Sequence, residues 1–375
     1  MLYQSTFEDL RSRIRSGEFP VGARLPSEAD LLAHYDISAI TLRRALDMLR
    51  EDGYVARRPR VGTTVVSTEP TARLRPTDRI DVGVVLTNFD DTFGTRVLEG
   101  MLDEAGTDTD VIVKRTHGDH DAEDAAIRAL AARVQGLVVL PSSSEFIPPG
   151  VLELLPTGFP VVILDRRYEG IPVSDISTDN IGAGAAATEH LFGLGHRRVA
   201  LVTSDSRVTS NDDRRRGWVG AHARNDKALD DALAFHDVES TLPGSTDRPE
   251  DDIARLVAFV EAHPEATAFV AGEYNIALLL RDALEQVGKR VPDDVSIVCF
   301  DHPDATFDRQ LFRFTHIAQD QPGVGRQAVA QVLRQARGES GSRKILVPAQ
   351  LVTGASTAQP PTGRVGRATR SPSRR

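Results

Sequence analysis

Leu25-Pro26-Ser27-Glu28, then Ser38-Ala39-Ile40-Thr41-Leu42-Arg43-Arg44-Ala45-Leu46, then Arg57-Arg58-Pro59-Arg60-Val61-Gly62-Thr63: in this order the segments spell a helix, a turn, a second helix and a basic hairpin. Ser27 followed by Asp30 is a capping-box pattern, so a short helix is expected to start there and to bury Leu31, Leu32 and Tyr35. His34-Tyr35-Asp36-Ile37 is too short for another element and reads as the turn. Ser38 can cap the next helix, where Leu42, Ala45, Leu46 and Leu49 recur at i, i+3, i+4 and i+7 as one apolar face, with Gly53 as the stop. Burying that face leaves Thr41, Arg43, Arg44 and Arg50 on or beside the solvent side, and the capped N-terminus adds its positive dipole. Tyr54 to Arg57 and Thr63 to Val66 are β-favouring stretches around a basic turn, long enough for a hairpin that can touch a DNA backbone or minor groove. The candidate DNA-contacting residues are Arg24, Ser38, Thr41, Arg43, Arg44, Arg58, Arg60 and Gly62. A small helical domain with a solvated arginine face is the plainer reading, but it leaves the order of cap, turn and hairpin unexplained.

With 375 residues, 40% of them hydrophobic, the chain is expected to form two or three domains. No run of eighteen apolar residues and no apolar leader is present, so neither a membrane span nor a signal peptide is indicated, and a cytoplasmic location is expected. The single Cys299 excludes an internal disulfide or a cysteine zinc cluster, and in the apolar run Val295 to Phe300 it reads as a small core residue. The net charge of −9 divides unevenly. Residues 1–75 hold 12 Lys and Arg against 10 Asp and Glu, residues 76–358 hold 28 against 44, and residues 359–375 hold five against none. The acidic middle should avoid DNA and leave binding to the N-terminal part. Residues 355–375 read as a disordered Arg-rich tail.

The expected first domain is 1–66, and the polar, proline-containing stretch 67–79 reads as a linker. From Ile80 short apolar runs (Val82–Leu86, Val111–Val113, Leu137–Leu140, Val161–Leu164, Val199–Val202, Ala268–Ala271, Val295–Val298) alternate with amphipathic stretches (Phe93–Ala105, Ala122–Arg133, Ile181–Leu194, Ile253–Ala262, Ile276–Val287). Such alternation builds parallel sheets covered by helices, with ligands beyond the strand carboxyl ends. The length of 80–354 favours two lobes with a cleft between them. The expected fold class is therefore an α+β winged helix-turn-helix domain followed by a two-lobed α/β domain.

Gly17-Glu18-Phe19, Leu25 to Glu28 and Thr41 to Leu46 resemble the GntR-type winged helix over residues 1–66, with two departures. Ala39 stands where that family usually has Arg, and Arg60 where it usually has Gly at the wing tip, so the operator sequence should be relaxed or altered while the wing gains a cation. Residues 80–354 resemble the effector domain of LacI-type regulators and the periplasmic sugar-binding proteins. The resemblance rests on Ile80 to Val85, Gln135 to Pro141, Val162 to Arg166, Asp179-Asn180, Leu194 to Ala200, Arg214 before Gly217-Trp218, Val291 to Val298, Phe300-Asp301 and Thr315 to Asp320. A GntR-type head on a LacI-type body is similar to the architecture of the AraR-type arabinose repressors.

The resemblance implies ligand positions at Asn88, Phe93, Arg166, Arg214, Asp301 and Gln319, with Glu273 standing in a segment Glu273-Tyr274-Asn275 where an Asn-Asp pair is usual. Carboxylate and guanidinium groups there suit adjacent hydroxyls, and an aromatic ring suits an apolar sugar face. His190, His196 and His302 make no metal-like spacing, and no metal or other cofactor is expected. The expected function is a ligand-responsive, homodimeric repressor of carbohydrate genes that leaves double-stranded operator DNA when a sugar binds. A nucleoside, a polyol or a phosphorylated sugar is the alternative effector. A sugar-active enzyme with a DNA-binding head is the remaining reading, against which stands the lack of a nucleophile with a base, a phosphate loop or a metal constellation in the sequence.

Overall fold

The computed structural model describes residues 2–51, 54–58, 62–68, 80–88, 93–205, 208–303, 307 and 310–361. It divides into two compact units, Met1–Arg79 and Ile80–Arg375. In the first, helices α1 (Leu2–Arg15), α2 (Glu28–Tyr35) and α3 (Ala39–Glu51) precede an antiparallel hairpin of β1 (Val55–Arg58) and β2 (Gly62–Val65). The capping box forms at α2: Ser27 Oγ accepts from the Asp30 N–H at 3.2 Å, and the Asp30 carboxylate accepts from the Ser27 N–H at 3.3 Å. The helix ends as Asp36 turns into the left-handed region at φ 50°. Leu42, Ala45 and Leu49 of α3 are buried in one cluster with Phe7, Leu10 and Ile14 of α1, while Leu32, Tyr35 and Leu46 are half-buried at its edge. Gly53 lies outside the described residues, as do Pro59, Arg60 and Val61.

The second unit begins with β3 (Val82–Leu86), α4 (Thr95–Ala105), β4 (Val111–Arg115), α5 (His120–Ala131), β5 (Gly136–Val139), α6 (Pro149–Leu154), β6 (Val161–Leu164) and β7 (Ser174–Thr178). The chain crosses into a second lobe through α7 (Asn180–Gly193), followed by β8 (Val199–Ser204), α8 (Thr209–Arg224), β9 (Ala234–Val238), α9 (Pro249–Ala262), β10 (Ala268–Ala271), α10 (Tyr274–Gln286), β11 (Ser296–Phe300) and β12 (Thr315–Gln319). It returns to the first lobe with α11 (Gln321–Ala336) and β13 (Lys344–Val347), then closes on the second with β14 (Ala349–Val352).

The first sheet runs β13-β7-β6-β5-β3-β4, all parallel, and the second β14-β12-β11-β10-β8-β9, parallel except for the edge strand β14. Strand β3 shows why a central strand is apolar on both faces: Val82, Val84 and Leu86 enter the core under α4 and α11, and Val85 enters the core on the opposite face.

Two of the three crossings repeat one motif. Asp179-Asn180 with Gly182 and Gly184 opens α7, and Asp320-Gln321 with Gly323 and Gly325 opens α11. Each aspartate accepts from the N–H of the first glycine at 2.9 Å. The second glycine lets the helix touch its neighbour. A Cβ on Gly184 would lie 2.4 Å from Arg214 O in α8, and one on Gly325 2.0 Å from Val97 O in α4.

The expected tail is corrected at its start. Ser356 is fully buried and donates to Ile297 O, Thr315 N–H donates to Ser356 Oγ at 2.8 Å, and Ala358 N–H donates to Ser296 Oγ at 3.0 Å. Residues 355–358 therefore belong to the second lobe: the Ser356 hydroxyl satisfies backbone groups of β11 and β12, and Ser296 of β11 satisfies the Ala358 N–H, where a composition-based reading takes these polar groups for solvated. Residues 362–375 lie outside the described residues, and of the expected linker only Ser67 and Thr68 are described.

Candidate functional site

Two places gather the residues that sequence singled out. In the head, Arg24 is exposed and its guanidinium lies over Gly62: at φ 99°, a Cβ there would be 2.7 Å from Arg24 Nε. Ser38 Oγ accepts from the Thr41 N–H at 3.3 Å and lies 2.8 Å from Thr41 Oγ1, so both hydroxyls serve the cap of α3. Arg43 and Arg44 are exposed, and the Arg44 guanidinium sits 4.4 Å from the ring centre of Tyr3 in α1, a cation–π contact. The side chain of Arg58 and all of Arg60 lie outside the described residues.

The second place is a cleft of about 440 Å³ at the carboxyl ends of both sheets, and Asn88, Phe93, Arg166, Arg214, Glu273, Asp301 and Gln319 all line it. From the first lobe, Asp165 and Arg166 follow β6, and Arg166 Nη1 donates to Asp165 O at 2.8 Å and Oδ2 at 2.6 Å. From the second, Asp301 follows β11 and accepts from Gln319 Nε2 at 2.5 Å and Gln321 Nε2 at 3.1 Å. Arg214, buried on α8, donates from Nε to Asn180 Oδ1 at 2.9 Å and from Nη1 to Gly272 O at 2.7 Å, and stacks 4.1 Å from the Phe300 ring centre. Burial pushes the Asp301 carboxyl up to about 6 against the opposing pull of Arg214. Burial likewise lowers the Arg214 guanidinium, while Asp165, Asp301 and Glu273 work to keep its proton. Among the described residues, buried lining atoms without a hydrogen-bond partner include Arg166 Nε, a donor on the first lobe, and, on the second lobe, Gln319 Oε1, an acceptor, and the Thr241 hydroxyl.

Residues 2–65 match the family of bacterial regulatory proteins of the gntR type, and residues 188–357 match the periplasmic binding protein-like domain. The chain joins a GntR-type head to a periplasmic-binding-protein-like body. Along nearly its whole length it is similar to the arabinose metabolism transcriptional repressor of Halalkalibacterium halodurans, 25% identical over 95% of this chain and 96% of that one. The repressor of the same description from Geobacillus stearothermophilus is 27% identical over 88% of this chain and 90% of its own. Among solved structures, the transcription regulator CcpA of Lactococcus lactis superposes with a TM-score of 0.63 at 19% identity, covering 74% of this chain and 99% of that one.

The body of this GntR-headed chain also brings together residues that spacing did not reveal. Ser142 Oγ lies 2.9 Å from His120 Nδ1, and the His120 ring meets Phe146 edge-on with centres 4.8 Å apart, all three lining the cleft. This hydroxyl–imidazole pair corrects the expectation that no such partners exist. The nearby carboxylate of Glu123 accepts from the Ser142 backbone N–H at 2.8 Å, which leaves it orienting the loop. Next in sequence to the lining residues, contacts join the two lobes: Arg167 is ion-paired with Asp213, Arg167 N–H donates to Thr209 Oγ1 at 3.2 Å, and Thr209 N–H donates to Ser144 Oγ at 3.0 Å. Residues 19 to 65 positions apart make these contacts, so only the folded topology shows them. His196 is buried between Thr267, Ser296 and Ala358, a structural role that burial supports by lowering its proton affinity.

Proposed function

We propose that the chain is a ligand-controlled transcriptional repressor of carbohydrate genes, in which the head holds operator DNA and a sugar in the cleft of the body releases it. The unpaired Arg166 Nε and Gln319 Oε1 carry the effector reading. A buried donor and a buried acceptor left unmade cost roughly 1 to 3 kcal/mol each, and a hydroxyl both donates and accepts. A polyhydroxy ligand closed between the lobes supplies what both atoms lack. Phe93 and Phe146 offer apolar surface for the ring face, and Asp301, Arg214 and Glu273 offer charged partners for hydroxyl pairs. Among the described lining residues four carboxylates (Glu145, Asp165, Glu273, Asp301) face two guanidiniums (Arg166, Arg214), which favours a neutral sugar over a phosphorylated one. Similarity to two arabinose metabolism repressors over almost the entire length supports regulation of sugar use. The head acts as a homodimer, placing two α3 helices in successive major grooves.

A thermal-shift screen of pentoses, hexoses, disaccharides and their phosphates tests the effector class. One neutral sugar should raise the melting temperature in proportion to the logarithm of its concentration, by about 2.7 kcal/mol of added stability at one hundred times its Kd. A response confined to phosphorylated sugars or nucleosides would overturn this assignment.

A further inference from the structure

Ile40, in the first turn of α3, is 80% exposed, the most exposed large apolar side chain among the head's described residues. A single exposed apolar residue is ordinarily unremarked. Here its surroundings give it a role. On the reading proposed above, α3 enters the major groove, and the residues at its N-terminus are the ones that reach base edges. Most polar candidates in that turn are already engaged: the Ser38 and Thr41 hydroxyls bond to each other within the cap, and Arg44 is stacked on Tyr3. Ala39 is exposed but has nothing to hydrogen-bond with. Ile40 and the exposed Arg43 remain, three residues apart and so on one helical face. In the major groove the apolar feature of a base-pair edge is the thymine C5-methyl group.

We propose that Ile40 packs against the 5-methyl group of a thymine in each operator half-site, next to the base that Arg43 contacts. Ile40 is then a specificity-determining residue that reads shape and hydrophobicity at one position, while Arg43 reads hydrogen bonds at its neighbour.

The test begins with the full-length protein selecting duplexes from a random library. Each thymine of a selected duplex is then replaced in turn by uracil, which lacks only the methyl group, and binding is followed by fluorescence anisotropy for wild type, Ile40→Ala and Arg43→Ala. A uracil at that position in one half-site should weaken wild type about fourfold, the equivalent of roughly 0.8 kcal/mol for one buried methyl, and a uracil in both half-sites about fifteenfold. The same replacement should leave Ile40→Ala nearly unchanged, and 5-methylcytosine in a C·G pair at that position should bind wild type better than cytosine does. Ile40 buries almost nothing, so its variant should melt like wild type. A flat uracil scan in wild type, or equal uracil sensitivity in Ile40→Ala, would overturn the inference. If Arg43→Ala is weakened while the scan is flat, Ile40 alone has been misassigned; if Arg43→Ala also binds like wild type, α3 is not the reading helix and the proposed docking fails with it.

Discussion

Asp165 and Asp301 occupy equivalent places in the two lobes. Each follows a strand, takes a positive φ of 53° or 58°, and donates its N–H to an isoleucine carbonyl of the next strand, Ile176 at 2.8 Å or Ile317 at 2.9 Å. Non-glycine residues held in that region cost about 1 kcal/mol or more and gather at functional sites, and both aspartates line the cleft. Asp301 also gives a pH signature. Its carboxyl takes a proton near pH 6 in the folded chain instead of near 3.8, so between those values the folded state binds a proton that the unfolded state lacks. Its contribution is therefore stabilising in full below about pH 3.8 and is lost as pH rises through 6, by at most about 3 kcal/mol. Asp301→Asn should accordingly be more stable relative to wild type at pH 7.5 than at pH 4, measured by urea denaturation of both proteins at each pH. A pH-independent difference would show that the buried carboxyl is not the titrating group. The seven residues that the resemblance singled out all line the cleft: Asn88, Arg166, Glu273, Asp301 and Gln319 stand at or just after strand ends, where short motifs mark them, Phe93 stands ahead of α4, and Arg214 lies on α8. Ser142 and His120 stayed hidden because nothing local in the sequence ties a hydroxyl to an imidazole 22 residues away.

At the scale of elements, legibility followed the chemistry of the buried face. β3, β5, β6 and β10 are continuous apolar runs, and their strands fall within one residue of expectation. β7 reads Ser174-Asp175-Ile176-Ser177-Thr178 and is nevertheless buried along its length, because Ser174 Oγ accepts from Gln335 Nε2 and Arg343 N–H at 3.0 Å and Lys344 Nζ reaches Asp175 Oδ2 at 3.2 Å. α8 was equally invisible to periodicity: its buried residues include Ser210, Asp213, Arg214 and His222 alongside Trp218. A helix whose inner face serves a cleft does not show an apolar stripe. Its packing on α7 depends instead on glycine, since a Cβ on Gly217 would lie 2.3 Å from Ile181 O. Gly217→Ala should therefore destabilise the body by about 1 to 3 kcal/mol by forcing α7 and α8 apart. Gly193→Ala, at the end of α7 with nothing within 4 Å, should be neutral or slightly stabilising. Equal melting temperatures for the two variants would contradict the close-approach account.

For the whole molecule, the division of charge and of structure coincide in sense: a mildly basic segment 1–75 precedes an acidic segment 76–358, and the compact units part at Arg79. A fragment starting at Ile80 should keep the thermal response to the effector and lose the operator shift in a gel. Operator binding by that fragment would refute the division of labour. Linkage sets the limit on control, because an effector can lower DNA affinity only by the difference in its own affinity for the DNA-bound and free forms. Truncating Asp301 removes a charged partner from the cleft, costing about 1.5 to 3 kcal/mol of effector binding, while leaving the head untouched. The most direct measurement is fluorescence anisotropy of labelled operator held by full-length protein, titrated with the sugar that raises its melting temperature, for wild type and Asp301→Ala side by side. Wild type should release the DNA as the cleft fills, and Asp301→Ala should bind the same DNA with the same affinity but release it only at about tenfold or more higher sugar concentration. Release of both proteins over the same sugar range, or of neither, would contradict control of the head from this cleft.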